Sequence, residues 1–387
     1  MSDDPVISWP IIRWDEAGEG KSARWRSESG TPPPKKVVIA DDRMTADSAY
    51  RLACEGTALL WRGDFQNARQ LLQAMTRRAN EKPSARKTKK IPASPTEAFH
   101  LHRLAQSQRA RTMGMLLIPF DADHSIPLRR APDARPACME AYGAAAEAYV
   151  ASLRGLQGLI GAYEWRKNGV DIPALGARIH PHYGVFAPIR GEYIGLVNDV
   201  PLPALTETRS VAFDIGTGTG VLAAVLARRG IQRIVATDQD QRALACAREN
   251  LARLGLAAQV EVVQADLFPE GRASLVVCNP PWVPARPSSP LEHAIFDPDS
   301  RMLRGFLNGL AAHLEIGGEG WLILSDLAEH LGLRTRAELL AAIDAAGLQV
   351  LGKIDVKPHH PRVSDTSDPL HAARVAELTS LWRLTAK

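Results

Sequence analysis

The stretch Val211-Ala212-Phe213-Asp214-Ile215-Gly216-Thr217-Gly218-Thr219-Gly220 decides how the chain is read. An apolar run feeds a glycine-rich turn, and a helical pattern follows from Val221 to Arg229. A second apolar run, Arg233-Ile-Val-Ala-Thr237, ends on Asp238. This is the layout of a nucleotide-binding βαβ unit. Glycines at 216, 218 and 220 let the backbone come close to a bound group, and the N-terminus of the next helix offers unpaired N–H donors. An acidic residue at the end of the second strand suits ribose hydroxyls.

Working outward, the glycine spacing is Gly216-x-Gly218-x-Gly220, whereas dinucleotide sites use G-x-G-x-x-G. After a fourth apolar run the chain reads Asn279-Pro280-Pro281-Trp282. Together these pieces resemble the class I methyltransferases that use S-adenosylmethionine, over roughly Ser210 to the C-terminus. The fold implied is α/β: a Rossmann-like, mostly parallel sheet with an antiparallel far edge. The pattern places strands at Val211–Ile215, Arg233–Thr237, Val260–Gln264, Ser274–Cys278 and Gly320–Ser325. Helices fall at about Gly220–Arg229, Gln241–Leu254, Ser300–Leu314 and Thr335–Ala346, and Leu348–Lys357 and Leu378–Thr385 form the antiparallel pair.

The resemblance implies cofactor contacts from Asp214, Gly216, Thr217, Gly218, Gly220, Asp238, Asp266, Leu267 and Asn279. Asp238 accepts from the ribose hydroxyls, Asp266 from the adenine amino group, and Leu267 flanks the ring. Asp214 lies near the methionine end; its plainer role is to cap the glycine turn.

Asn279, Pro280, Pro281 and Trp282 are the catalytic candidates and identify the acceptor atom. An amide or exocyclic amine nitrogen is a poor nucleophile because its lone pair is delocalised. Acceptors that hold its N–H groups move the nitrogen towards tetrahedral. The Asn279 side-chain oxygen and the Pro280 carbonyl are two such acceptors. The prolines stiffen the element, and Trp282 presents a flat apolar surface. The motif resembles that of HemK-type enzymes, which methylate a glutamine side-chain amide in release factors, although Tyr or Phe is usual at the Trp282 position. Relatives methylate adenine N6 or guanine N2 in RNA. A non-catalytic module that docks on RNA or protein is the reading from another class.

The joint, residues 170–209, holds His180-Pro-His182-Tyr183-Gly184-Val185-Phe186 and Ile189-Arg190. It resembles the segment before the cofactor domain in HemK-type and related small-domain methyltransferases. By that resemblance Phe186 and Arg190, with Trp282, are substrate-binding candidates. No metal is expected, because neither Cys nor an acidic residue accompanies the two histidines at a standard spacing.

At 387 residues the chain exceeds one typical domain. Residues 1–36 read as a flexible tail, whose Trp9, Trp14 and Trp25 either staple it to the body or stack on a partner. Residues 37–169 read as a mostly helical, substrate-recognition domain, and 210–387 as the catalytic domain. The helices there fall at about Ala46–Trp61, Phe65–Asn80, Ser94–Leu117 and Ala137–Trp165. The run Arg77 to Lys90 carries seven basic residues against Glu81 alone, and is either a solvated linker or a loop touching RNA phosphates. A formal charge of +4 permits an anionic partner without demanding one. Cys54, Cys138, Cys246 and Cys278 have no paired spacing, which suits a reducing cytoplasm, and no apolar run is long enough to span a bilayer.

Overall fold

The computed structural model describes residues 10–80, 92–203, 211–287, 290–358 and 365–387. Two compact units divide them: the first takes residues up to 91 and 103–164, the second residues 92–102 and 165–387.

The first unit is built on a six-stranded sheet. Its strands are β1 (Ile11–Glu16), β2 (Glu19–Arg26), β3 (Lys36–Ala40), β4 (Thr57–Trp61), β5 (Leu116–Phe120) and β6 (Tyr149–Ser152), in the order β1-β2-β6-β5-β4-β3. Of the expected helices, Phe65–Asn80 is present as such, while the other two end early, at Ala46–Cys54 and at Pro95–Met113, the latter running from residues of the second unit into the first. The third opens on the Ser94–Glu97 cap, where Ser94 Oγ accepts from Glu97 N at 3.1 Å. The expectation of a helical domain is nonetheless corrected, because these helices flank a sheet. β4 and β5 are short, wholly or largely buried runs (TALLW, LLIPF), which periodicity alone does not separate from buried helix. The long helix expected from Ala137 is two, Arg135–Tyr142 and Leu153–Asn168, with β6 between them.

The tail is corrected as well. β1 and β2 form an antiparallel hairpin closed at Ala17-Gly18, both with positive φ (56° and 85°), the geometry that matches strand twist. Trp25 is 6% exposed in this unit's core with Ile12, Leu60 and Leu117, and its indole N–H donates to Thr31 O at 2.7 Å. Trp14 donates to Glu16 Oε2 at 2.9 Å. Packing of Trp25 in this cluster, and of Trp14 against it, staples the segment to the body; Trp9 lies outside the described residues. So does the larger part of the basic run, Lys82 to Lys90, while Arg77 and Arg78 end the helix Phe65–Asn80.

The second unit contains a small hairpin, β7 (Val170–Ile172) with β8 (Ala177–Ile179), and a seven-stranded sheet. The large sheet consists of β9 (Val211–Ile215), β10 (Arg233–Asp238), β11 (Val260–Gln264), β12 (Ala273–Cys278), β13 (Leu314–Ser325), β14 (Leu348–Val356) and β15 (Thr379–Ala386). Their order is β11-β10-β9-β12-β13-β15-β14. Neighbours from β11 to β13 are parallel, and β15 runs antiparallel to both β13 and β14. The expected strands and helices match within a few residues, except that β13 starts earlier, at Leu314. β12 is buried at every position, as a strand covered on both faces must be.

The strand order reverses between β9 and β12, which leaves a crevice at their carboxyl ends. The helix Val221–Arg228 rises from that point, buried from Val221 to Ala227. It begins at Gly220, with φ of 80°, where an added Cβ would lie 3.2 Å from the Ala247 Cα. That contact is backbone and cannot swing aside. Gly220→Ala is therefore expected to lower stability by about 2–4 kcal/mol, from left-handed strain plus overpacking. Urea unfolding measures it, and a loss below about 0.5 kcal/mol would show that the turn can move.

Candidate active site

Register places the predicted residues in one row. Cys278 pairs with Ile215, Ile215 with Thr237, and Asp238 with Gln264. The next residues, Asn279, Gly216 and Asp238, therefore stand side by side at the strand ends, about 5 Å per strand apart. Asp266 and Leu267 follow β11 one strand further along.

Three glycines shape the turn, with φ of 72° at Gly216, 55° at Gly218 and 80° at Gly220. A side chain at Gly216 would also meet Met302, whose Cε lies 2.5 Å from the ideal Cβ position. Met302 was not legible as a neighbour of the turn, since only the seating of the helix Arg301–His313 brings it there.

Asp214 is 1% exposed and tied into this turn. Its Oδ2 accepts from Thr217 Oγ1 at 2.6 Å and from Ala223 N at 3.0 Å. It caps both the turn and the helix that follows. Burial pushes its carboxyl up to about 6, against the two hydrogen bonds that pull it down, and Asp238 adds to the rise. Because the folded value lies above the unfolded one, this group favours folding at acid pH. The contribution is lost as pH rises from the unfolded value through about 6. At neutral pH the ionised carboxylate costs about 3 kcal/mol. Between about pH 4 and pH 7, wild type is expected to lose stability relative to Asp214→Asn by an amount of that order. Parallel urea titrations read this directly, and a gap independent of pH would mean Asp214 keeps an ordinary pKa.

Asp238 is half-buried. Its Oδ2 accepts from Gly218 N at 3.0 Å and its Oδ1 from Asp240 N at 3.0 Å. Burial raises its pKa, opposed by these backbone hydrogen bonds. Each oxygen keeps a further lone pair. Thr237 Oγ1 donates to Leu267 O at 2.5 Å, which helps hold Leu267 at a φ of 78°. The Leu267 side chain fills the space beside Gly305. Asp266 is exposed and meets Arg301 at 2.9 Å, with side-chain exposures of 62% and 68%. A pair that open to water is weak and easily exchanged.

Asn279 and Trp282 are half-buried, and Pro280 is buried. The indole N–H of Trp282 donates to Asn279 Oδ1 at 2.8 Å, a bond that a plain stacking surface did not anticipate. The loop after the motif closes on itself: Val283 bridges Phe296, and Asp297 N donates to Val283 O at 2.9 Å. Asp297 then accepts from Met302 N and Leu303 N, both at 3.1 Å. Below the motif, burial holds the Cys278 thiol neutral, reinforced by Asp214 and Asp297.

In the joint, Phe186 is half-buried beside buried Val185. Arg190 is committed to protein partners: its Nε donates to Glu192 Oε1 at 3.0 Å and its Nη2 to Glu377 Oε1 at 3.3 Å. Its guanidinium is thus held in place by two carboxylates of the chain itself. His180 and His182 are likewise engaged, with Arg166 O at 2.6 Å and Glu249 Oε2 at 2.8 Å. Asn250 ties this segment to the turn, with Oδ1 accepting from His180 N at 2.8 Å and Nδ2 donating to Thr219 O at 3.1 Å. It sits mid-helix at an apolar-face position, and a buried Asn there is the one sequence cue for it.

A 3-2-1-4-5-7-6 sheet, a glycine turn on its first strand and an acidic end to its second define a class I S-adenosylmethionine-dependent methyltransferase domain. Residues 178–330 match the family described as Methyltransferase small domain. The release factor glutamine methyltransferase of Cereibacter sphaeroides is 35% identical over 167 residues, which cover 39% of this chain and 58% of that protein. The ribosomal protein L11 methyltransferase of Pelotomaculum thermopropionicum is 51% identical over 69 residues, 17% of this chain and 22% of that one. The ribosomal RNA small subunit methyltransferase C of Sodalis glossinidius is 40% identical over 110 residues, 27% and 28% of the two chains. The chain thus spans little more than half the length of the release-factor relative, and less of the others. Among the described residues no helix is long and apolar enough to cross a membrane.

Proposed function

We propose that this chain is a cytoplasmic N-methyltransferase that moves the methyl group of S-adenosylmethionine to a planar amide nitrogen, that of a protein glutamine. The observation that carries the reading is the position of Asn279-Pro280-Pro281-Trp282, next to Gly216 in the strand-end row. The cofactor supplies a methyl group on a positively charged sulfur. Gly216, Gly218 and Gly220 admit its backbone-facing side, with Thr217 closing the turn onto Asp214. Asp238 accepts the ribose hydroxyls through its remaining lone pairs. Asp266 exchanges its exposed Arg301 contact for the adenine amino group, and Leu267 flanks the ring.

On the acceptor side, Asn279 Oδ1 and the Pro280 carbonyl would accept hydrogen bonds from the N–H groups. As the nitrogen–carbon bond forms the sulfur–carbon bond breaks, sulfur keeps that electron pair, and one N–H proton leaves to solvent. As the nitrogen rehybridises, positive charge builds on it and both acceptors are aimed at that charge. Holding nitrogen in line with the methyl group supplies much of the remaining acceleration. Phe186 and Trp282 form the apolar wall of the pocket.

The motif continues as Val283-Pro284, which favours the glutamine branch. An exocyclic amine of an RNA base is the second reading, favoured by the basic run Arg77 to Lys90. Labelled cofactor incubated with extract of a strain lacking the gene decides between them. Label lost on protease digestion supports protein, and label lost on nuclease digestion supports RNA. No label in either fraction, with the cofactor bound, would leave the non-catalytic docking module.

A further inference from the structure

Trp282, Arg190, Glu377 and Ser325 form a chain of contacts of which the proposed chemistry uses only the Trp282 ring, as an apolar wall. It starts at a buried carboxylate. Glu377 is 2% exposed and sits just before β15. Its Oε1 accepts from Ser325 Oγ at 2.8 Å and from Arg190 Nη2 at 3.3 Å. Ser325 ends β13, the strand beside the one that delivers Asn279, and its Oγ accepts from Leu327 N at 3.0 Å. A carboxylate this buried is stable only when paired. Here the pairing reaches back across the chain to the joint. Glu192 accepts from the Nε of the same guanidinium, at 3.0 Å.

The guanidinium carbon of Arg190 lies 5.5 Å from the Trp282 ring centroid, within cation–π range. The ring is braced from its other sides by the apolar clusters that meet there, including Val283 and Phe99. Its N–H donates to Asn279 Oδ1 at 2.8 Å.

The chemistry of that last bond sets its meaning. A carboxamide can turn end for end, presenting either oxygen or NH2 to a neighbour. An indole N–H only donates, so only the oxygen satisfies it. Trp282 thereby excludes the flipped state in which Asn279 would face an incoming N–H with its own NH2. One lone pair of Oδ1 is taken, and one remains for the acceptor nitrogen's hydrogen.

We infer that Glu377, acting through Arg190 and Trp282, is a positioning residue that locks the Asn279 carboxamide oxygen toward the acceptor nitrogen. The effect on rate rests on the methyl-transfer reading above; the relay of contacts does not. The two are tested separately on the full-length chain. The indole N–H resonance of Trp282 is identified in 15N-labelled protein as the one missing in Trp282→Phe. Asn279→Ala, which removes the acceptor, is expected to move it upfield and quicken its exchange with water. Glu377→Gln is expected to move it the same way by less. Arg190→Gln repeats that measurement on a less buried side chain if Glu377→Gln does not fold.

In the transfer arm, the probe is whichever extract fraction wild type labels. Trp282→Phe is expected to transfer about 10-fold more slowly at saturating cofactor, as for one lost positioning hydrogen bond. Glu377→Gln is expected to fall in the same direction, with calorimetric cofactor affinity held within about twofold. A merely structural ion pair would lower unfolding stability and leave the resonance and the folded enzyme's rate in place. A Trp282 resonance unmoved by Asn279→Ala, or by both Glu377→Gln and Arg190→Gln, would overturn the inference. Wild-type rate in Trp282→Phe would do the same. If wild type labels nothing, the methyl-transfer reading fails while the resonance still decides the relay.

Discussion

Asn279→Ala is expected to lower methyl transfer about 10²–10³-fold while cofactor affinity changes by no more than a few-fold. On the proposed function the substitution deletes one of the two acceptors for the reacting nitrogen and leaves the Pro280 carbonyl in place. The glycine turn and Asp238 do not depend on the Asn279 side chain: their hydrogen bonds run to Thr237, Asp214, Asp240, Asn250 and each other. The expected result is therefore a fall in turnover with cofactor binding retained. Single-turnover transfer beside calorimetry separates the two. A variant as active as wild type would remove Asn279 from the chemistry. One that no longer binds cofactor would make it a binding residue instead.

Asp238→Ala is expected to give the opposite split. Two hydrogen bonds from ribose hydroxyls to a carboxylate are each worth about 1.5–3 kcal/mol, so affinity for S-adenosylmethionine should fall at least about 100-fold. The side chain also holds Gly218 N at 3.0 Å, so some of the loss comes through the turn. Asp238→Asn divides these contributions. One amide oxygen can still serve Gly218 but cannot serve both hydroxyls. Full affinity in Asp238→Ala would confine the residue to bracing the loop.

The two expectations differ because the proposed function gives the residues different partners. On the proposed function, Gly216 and Asp238 would serve the cofactor, while Asn279 and Trp282 would serve the acceptor. The sheet puts all four at the ends of adjacent parallel strands, so substitutions in either group can be read without refolding the other.

The second unit was largely legible in the chain itself. Its strands are continuous buried runs such as Ala273–Cys278, whose covering on both faces leaves a plain hydrophobic signal. Its turn needs left-handed backbone at 216, 218 and 220, which glycine supplies and other residues resist. Signals of that kind are local, and they put Asp214, Asp238 and Asn279 at strand ends before any packing was known.

The first unit was not legible in the same way. β1 and β2 are polar strands around an Ala17-Gly18 turn, and their exposed faces look like tail. β6 has only four residues between two helices. Such strands exist because neighbours supply their hydrogen bonds, a property that no residue carries alone.

What the amino-acid order determined by itself, then, is where the backbone must bend, where it must be buried and which acidic and amide groups stand at those points. These are matters of steric freedom and hydrophobicity over a few residues. Tertiary structure alone decided what those groups touch: Met302 against Gly216, the Trp282 indole on Asn279, and Arg190 on Glu377 from 187 positions away. Hydrogen bonds and ion pairs have a reach of a few ångströms, and only the packed sheet brings such distant residues within it.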